Sequence, residues 1–188
     1  MNDTAKAVGL LRRVCLAICK RPEEFRMEVE ELSGTIEIGI VANPTDTKRL
    51  VGRGREILQH LEHLMRLLLR GCKKRVRFLD LEPNGKQEVI FAPFVPNPKW
   101  PAQAIGELLR DIVEAIFELP VDVEAVEHNR WSVKMYAVVQ GDCDQNIIQA
   151  TEKVINTLFV PIGTLAGMKV YAHCHDWKAR RTPALTAG

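Results

Sequence analysis

Apolar and polar positions alternate along this chain with two distinct periods. Between residues 4 and 20, Val8, Leu11, Val14, Cys15 and Ile18 recur at helical spacing, and Pro22 closes that segment. Phe25, Met27 and Val29 then alternate with Arg26, Glu28 and Glu30, the period of a half-buried strand. Ser33-Gly34 reads as a turn. Ile36, Ile38 and Ile40 alternate with Glu37 and Gly39, so the two segments predict a hairpin. Asn43-Pro44 stops the second strand. Thr45-Asp46-Thr47 offers N-cap residues for a short helix reaching about Val51. A second helix starts near Arg55, with Ile57, Leu58, Leu61, Leu64, Met65 and Leu68 on one stripe, and Gly71 ends it. Val76, Phe78 and Leu81 mark a third strand. The predicted order is α-β-β-α-α-β.

The second half repeats this pattern. Residues 41–61, VANPTDTKRLVGRGREILQHL, align with residues 138–158, VVQGDCDQNIIQATEKVINTL. Leu50 meets Ile147, Val51 meets Ile148, Ile57 meets Val154, Leu58 meets Ile155 and Leu61 meets Leu158. Upstream, after one register shift, Leu10, Leu11, Val14, Ala17, Ile18 and Pro22 meet Leu108, Leu109, Ile112, Ala115, Ile116 and Pro120. Strands are predicted from Val121 and Val123, over Val133 to Val139, and over Lys169 to His173. The pattern therefore predicts an α+β protein of two tandem αββααβ units, residues 1–82 and 99–177. Each is expected to be a three-stranded sheet with helices packed on one face. Residues 83–98 form a Pro-rich linker and residues 178–188 a disordered tail.

Composition narrows the class. The chain has 188 residues, 46% of them apolar, enough for a substantial core. The formal net charge is only +2, but it is unevenly placed. Residues 1–82 hold 16 Lys/Arg and 12 Asp/Glu, a net of +4, and the remainder hold 10 and 12, a net of −2. That small asymmetry hints at an anionic partner for the first half. The start of the chain lacks a basic stretch followed by an apolar core, so no signal peptide is predicted. No apolar run approaches the ~20 residues of a membrane helix. Five cysteines, Cys15, Cys19, Cys72, Cys143 and Cys174, point to reduced thiols and a cytoplasmic location.

The stretch RLVGRGREIL, residues 49–58, sets two glycines among three arginines between apolar pairs. Residues 22–61, PEEFRMEVEELSGTIEIGIVANPTDTKRLVGRGREILQHL, resemble the KH domain of the small bacterial KhpA-type RNA-binding proteins. The resemblance spans roughly residues 4–82 and includes the order of elements. It implies a type II KH fold that binds single-stranded RNA in a groove beside a glycine-containing turn. Such a loop clamps the backbone of about four nucleotides. Glycine lets the main chain approach closely, and the amides that open the next helix favour phosphate. The resemblance makes Arg49, Gly52, Arg53, Gly54 and Arg55 the RNA-binding candidates. The family places a second glycine at the fourth loop position, and ungapped alignment puts Arg55 there. A one-residue gap would equate Gly54 with that glycine, but it throws the Ile57 stripe out of phase. Arg55 is then either an added phosphate ligand or a bulky block.

In the second copy the loop is Gln149-Ala150-Thr151-Glu152, without glycine or base. Glu152, at the position of Arg55, would repel phosphate. That copy is expected to serve as a dimerisation surface, a partner surface or a support. Phe91, Phe94 and the adjoining Trp100 suggest that the linker region packs on a domain, and base stacking is their sharper alternative. Lys178, Arg180 and Arg181 would add non-specific phosphate contacts. His60 and His63 lie three residues apart, Cys15 and Cys19 one helical turn apart, and His173-Cys174-His175-Asp176 mixes ligand types. None has metal-site spacing, and no catalytic or dinucleotide signature occurs. The sequence thus predicts neither enzyme nor cofactor. It leaves two functions: single-stranded RNA binding by the first copy, or a protein-interaction scaffold of two degenerate folds.

Overall fold

The computed structural model describes residues 3–70, 72, 75–78, 102–129 and 132–177. The proposed linker, residues 83–98, and the tail, residues 178–188, lie outside them, as do Gly71 and Leu81. The first half runs α1 (Asp3–Ile18), β1 (Arg26–Leu32), β2 (Thr35–Val41), α2 (Pro44–Val51), α3 (Glu56–Leu68) and β3 (Arg75–Phe78). The second runs α4 (Ala102–Phe117), β4 (Val121–Asn129), β5 (Ser132–Val139), α5 (Gln145–Leu165) and β6 (Lys169–Asp176).

Each half builds the same sheet. β1 and β2 form an antiparallel hairpin, with Met27 opposite Ile40, and β3 joins β2 in parallel, with Ile36 beside Val76. β4 and β5 form the matching hairpin, and β6 lies parallel to β5, with Tyr136 beside His173. Both sheets place their hairpin's second strand at the centre. A parallel third strand requires a helical crossover, which the intervening helices supply. The alternation in β2 is realised: Ile36, Ile38 and Ile40 are buried. β1 is an edge strand, and Val29 and Leu32 are exposed. Its alternation reports one face of a sheet whose edge the helices leave uncovered.

The α+β class and the paired units stand, and one element departs from the expected order. The second unit is αββαβ, because α5 is a single helix of 21 residues. Residues 149–152 lie in its second helical turn instead of forming a loop. Ala, Gln and Glu are good helix formers, and no glycine there supplies a left-handed break. Thr151, where Gly54 stands in the first copy, is fully buried. Glu152 is therefore not at a helix start, as the repeat predicts, but two turns inside a helix.

The halves join through their helices. α1 and α3 pack against α4 and α5, and one continuous buried cluster includes Leu11, Val14, Leu61 and Leu64 together with Leu108, Ile112, Val154 and Leu158. Arg13 on α1 reaches Asp111 on α4 at 2.6 Å across the seam, but both side chains are more than 40% exposed, so that pair adds little. The join is made by apolar burial.

Because the core is shared, the halves should melt together. Leu61→Ala removes a fully buried side chain and is expected to cost about 2–5 kcal/mol. Thermal unfolding followed by circular dichroism and by tryptophan fluorescence should give one coincident transition, shifted as a whole by that substitution. Two separate transitions would contradict the shared core.

Candidate nucleic-acid interface

The turn that carries the candidate residues is held from below. Asn43 caps α2, its Oδ1 accepting the amides of Thr45 and Asp46 at 3.0 Å each. Pro44 follows as the first helical residue, a position where its missing N–H costs nothing. The cap is thus Asn43, two residues before the start of the expected Thr45-Asp46-Thr47. Asp46 has a different task. It is fully buried, and its carboxylate accepts the Lys20 amide at 2.7 Å, the Arg21 amide at 2.9 Å and Asn43 Nδ2 at 2.7 Å. The chain leaving α1 is thereby tied to the start of α2. Thr47 adds a bond from its hydroxyl to the Ala42 carbonyl at 3.2 Å.

Arg49 belongs to this clasp. Its Nε donates to the Ile18 carbonyl at 3.0 Å, at the C-terminal end of α1 where carbonyls lack helical partners. Cys19, beside it, has its thiol pushed up to about 12 by burial and by the Asp46 carboxylate, with Arg49 opposing. The thiol is therefore protonated and unreactive at neutral pH.

Gly52, Arg53, Gly54 and Arg55 come together as a tight turn between α2 and α3. Gly52 has φ 72° and ψ 177°, a backbone only glycine adopts with ease. A Cβ there would sit 2.5 Å from Ile57 Cγ1 and 2.9 Å from the Ile57 amide nitrogen. Gly52 is therefore required by packing as well as by conformation. Gly54, at φ 60°, faces open space. Arg55 also takes a left-handed conformation, φ 67°, which costs a non-glycine residue roughly 1–2 kcal/mol. The fourth loop position thus has a backbone suited to glycine, and arginine occupies it.

Arg53, Gly54 and Arg55 are exposed, while Leu50 and Leu58 are buried on either side. The apolar flanks anchor the turn and leave its tip in water. Part of its hydrogen-bonding capacity is used internally: the Arg55 amide donates to the Gly52 carbonyl at 3.4 Å, and the Glu56 amide donates to the Arg53 carbonyl. Those two amides are not turned outward.

Beyond the turn, α3 carries His60, His63 and Arg66. His60 Nδ1 lies 2.8 Å from the Glu56 carbonyl, which leaves Nε2 as the outward nitrogen. His63 is pulled below the usual histidine range by partial burial, then by Arg66, His60 and Lys153. Lys153 is on α5, so a basic group of the second unit joins the surface of the first. Spacing on one helix exposes the two histidines; nothing in the sequence places Lys153 beside them.

In the second unit, Glu152 meets His173 Nδ1 at 2.8 Å. Tyr136, His173 and His175 stack with ring centroids 5.1 to 6.1 Å apart. α5 runs along β6 closely enough for Asn156 Oδ1 to accept the Ala172 amide at 3.0 Å. Cys174 lies inside, its thiol raised to about 12 by burial and then by Glu152 and Cys143. Glu152 is thus engaged along the sheet edge.

No protein-family model and no curated protein sequence matches this chain. Among the described residues, no helix is long and apolar enough to cross a membrane.

The two glycines should respond differently to substitution. Gly52→Ala introduces both a clash and a strained backbone and is expected to cost more than about 2 kcal/mol, whereas Gly54→Ala should cost about 1 kcal/mol. Asp46→Ala leaves two backbone amides and an amide side chain without their acceptor, for an expected loss of about 3 kcal/mol. Urea unfolding of the three variants checks the order; equal losses at Gly52 and Gly54 would refute the packing role of Gly52.

Proposed function

We propose that this chain is a KH-like RNA-binding protein that grips the backbone of single-stranded RNA at the turn formed by Gly52, Arg53, Gly54 and Arg55. The observation that carries the reading is the exposed tip: two arginines and a glycine in open space, fixed between buried anchors. The αββααβ order of the first half, with its mixed sheet, agrees with the type II KH resemblance.

The chemistry follows from the groups present. Gly54 has no side chain to hold a phosphate away, so the sugar–phosphate backbone can lie against the turn. Arg53 and Arg55 supply planar guanidinium donors that match phosphate oxygens. Arg49, bonded to the end of α1, acts as a positioning residue: it fixes α2 and hence the turn. Binding is the whole activity in this reading, without a catalysed reaction. The second unit supports the first through the shared helices.

Gly54→Asp is the decisive variant. Its Cβ meets nothing within 4 Å, and Asp tolerates the left-handed region better than most residues, so the fold survives. A carboxylate at the tip should reduce affinity for single-stranded RNA at least about tenfold by repulsion. Arg53→Ala should weaken all sequences alike and reduce the salt slope by about 0.7, one phosphate contact on a single strand. Arg55→Gly should leave stability within about 1 kcal/mol, since relief of strain offsets added chain entropy, and should weaken binding. Fluorescence anisotropy at two salt concentrations measures all three. If the wild-type chain binds no RNA, or none of these changes matters, the turn is not an RNA site and the scaffold reading replaces it.

A further inference from the structure

The basic surface does not stop at the turn. Half-buried His60 and exposed His63 and Arg66 follow it along α3, at spacings of three residues that make each the neighbour of the next. Arg55 to Arg66 spans roughly 16 Å of helix, enough for a few more nucleotides. α3 packs on α5, and exposed Lys153 projects from α5 into the field of His63. We infer that single-stranded RNA leaving the turn runs along α3 and reaches the second unit at Lys153, so that the two units share one phosphate-binding track and the two histidines make its outer arm proton-dependent. This rests on the RNA-binding reading of the turn and extends it.

Charge complementarity selects the occupant. The charged groups that bear on His63 are Arg66 and His60 from its own helix and Lys153 from α5, all basic. Their mutual repulsion favours an anion between them. Two carboxylates lie near the track on α3, and one of them, Glu62, is held by Arg66 at 3.5 Å. The other is Glu56, beside the turn itself. Glu152, the acid next to Lys153 in sequence, is drawn away to His173 at 2.8 Å. The surface therefore keeps a basic excess from Arg53 to Lys153.

The histidines give the arm its signature. A phosphate between His60 and His63 stabilises their protonated forms, so RNA binding takes up protons and affinity rises as pH falls. The turn itself uses arginines, which do not titrate in this range. A short RNA confined to the turn should then ignore pH, and a longer one should respond.

The test uses the full chain and two oligouridylates, of about four and about twelve nucleotides, the shorter matching one KH clamp. Affinities are measured at about pH 5.5 and about pH 7.5, which bracket histidine titration. Wild-type affinity for the long RNA should rise severalfold at the lower pH, and affinity for the short RNA should not. Lys153→Gln should weaken only the long RNA, by about three- to tenfold. Replacing both histidines, His60→Gln with His63→Gln, should abolish the pH response and leave the short RNA unaffected. His63 and Lys153 are exposed and His60 is half-buried, and matching thermal melts confirm that each variant folds. If Gly54→Asp abolishes binding of both RNAs while long and short respond alike to Lys153→Gln and to pH, the turn is the site and the shared track is refuted. If the wild type binds neither RNA, the reading of the turn fails and the track fails with it.

Discussion

A buried carboxylate organises the first unit. Asp46 has no access to solvent, and three N–H groups from two separate parts of the chain converge on it. Two of them, from Lys20 and Arg21, belong to the segment that leaves α1. The third comes from the residue that caps α2. A charge in the core is costly unless its acceptor sites are filled, and here the chain fills them only when α1, the β2–α2 junction and α2 adopt their observed relation. Arg49 completes the arrangement by bonding the last turn of α1. The turn at Gly52–Arg55 inherits its position from this clasp, since α2 leads directly into it. Tip residues can be exposed and strained because the foundation tolerates no alternative.

The second unit lacks this clasp and solves the same geometric problem differently. The repeat puts Cys143 where Asp46 stands, and its thiol contacts the Gly141 carbonyl at 3.6 Å. Asp144 caps α5 by accepting the Asn146 amide at 2.8 Å. With no left-handed residue to interrupt it, the helix continues where the first unit turns. The two sheets are alike, but one crossover is two helices joined at a corner and the other is a rod.

Much of this was legible because local pattern and tertiary environment agree. The Ile36-Ile38-Ile40 alternation and the stripe of α3 each bury the face that their period predicts, and both hairpins form where the alternation places them. Four features were hidden for distinct physical reasons. Asp46 sits three residues after Asn43-Pro44, a recognisable capping pattern, yet the amides of Lys20 and Arg21 that explain its burial are more than 20 residues away. Arg49 sits in the arginine-rich run, and only tertiary placement separates it from Arg53 and Arg55. α5 continues through residues 149–152 because nothing there breaks a helix; alignment with the first copy suggested a loop that the residues themselves do not encode. Lys153 joins His63 across a helix–helix contact that no spacing in either segment discloses.

The unbroken α5 also fixes the valency of the molecule. Two identical αββααβ units would present two glycine turns, and a strand long enough to reach both would be held twice, with the gain in avidity that tethering brings. Here α5 runs on through the residues aligned with the turn, so the second unit presents no such turn there. Among the described residues, each chain therefore carries one glycine turn of this kind. On the RNA-binding reading, the turn and the track that leads from it make one continuous attachment, without the second clamp that a repeated turn would add.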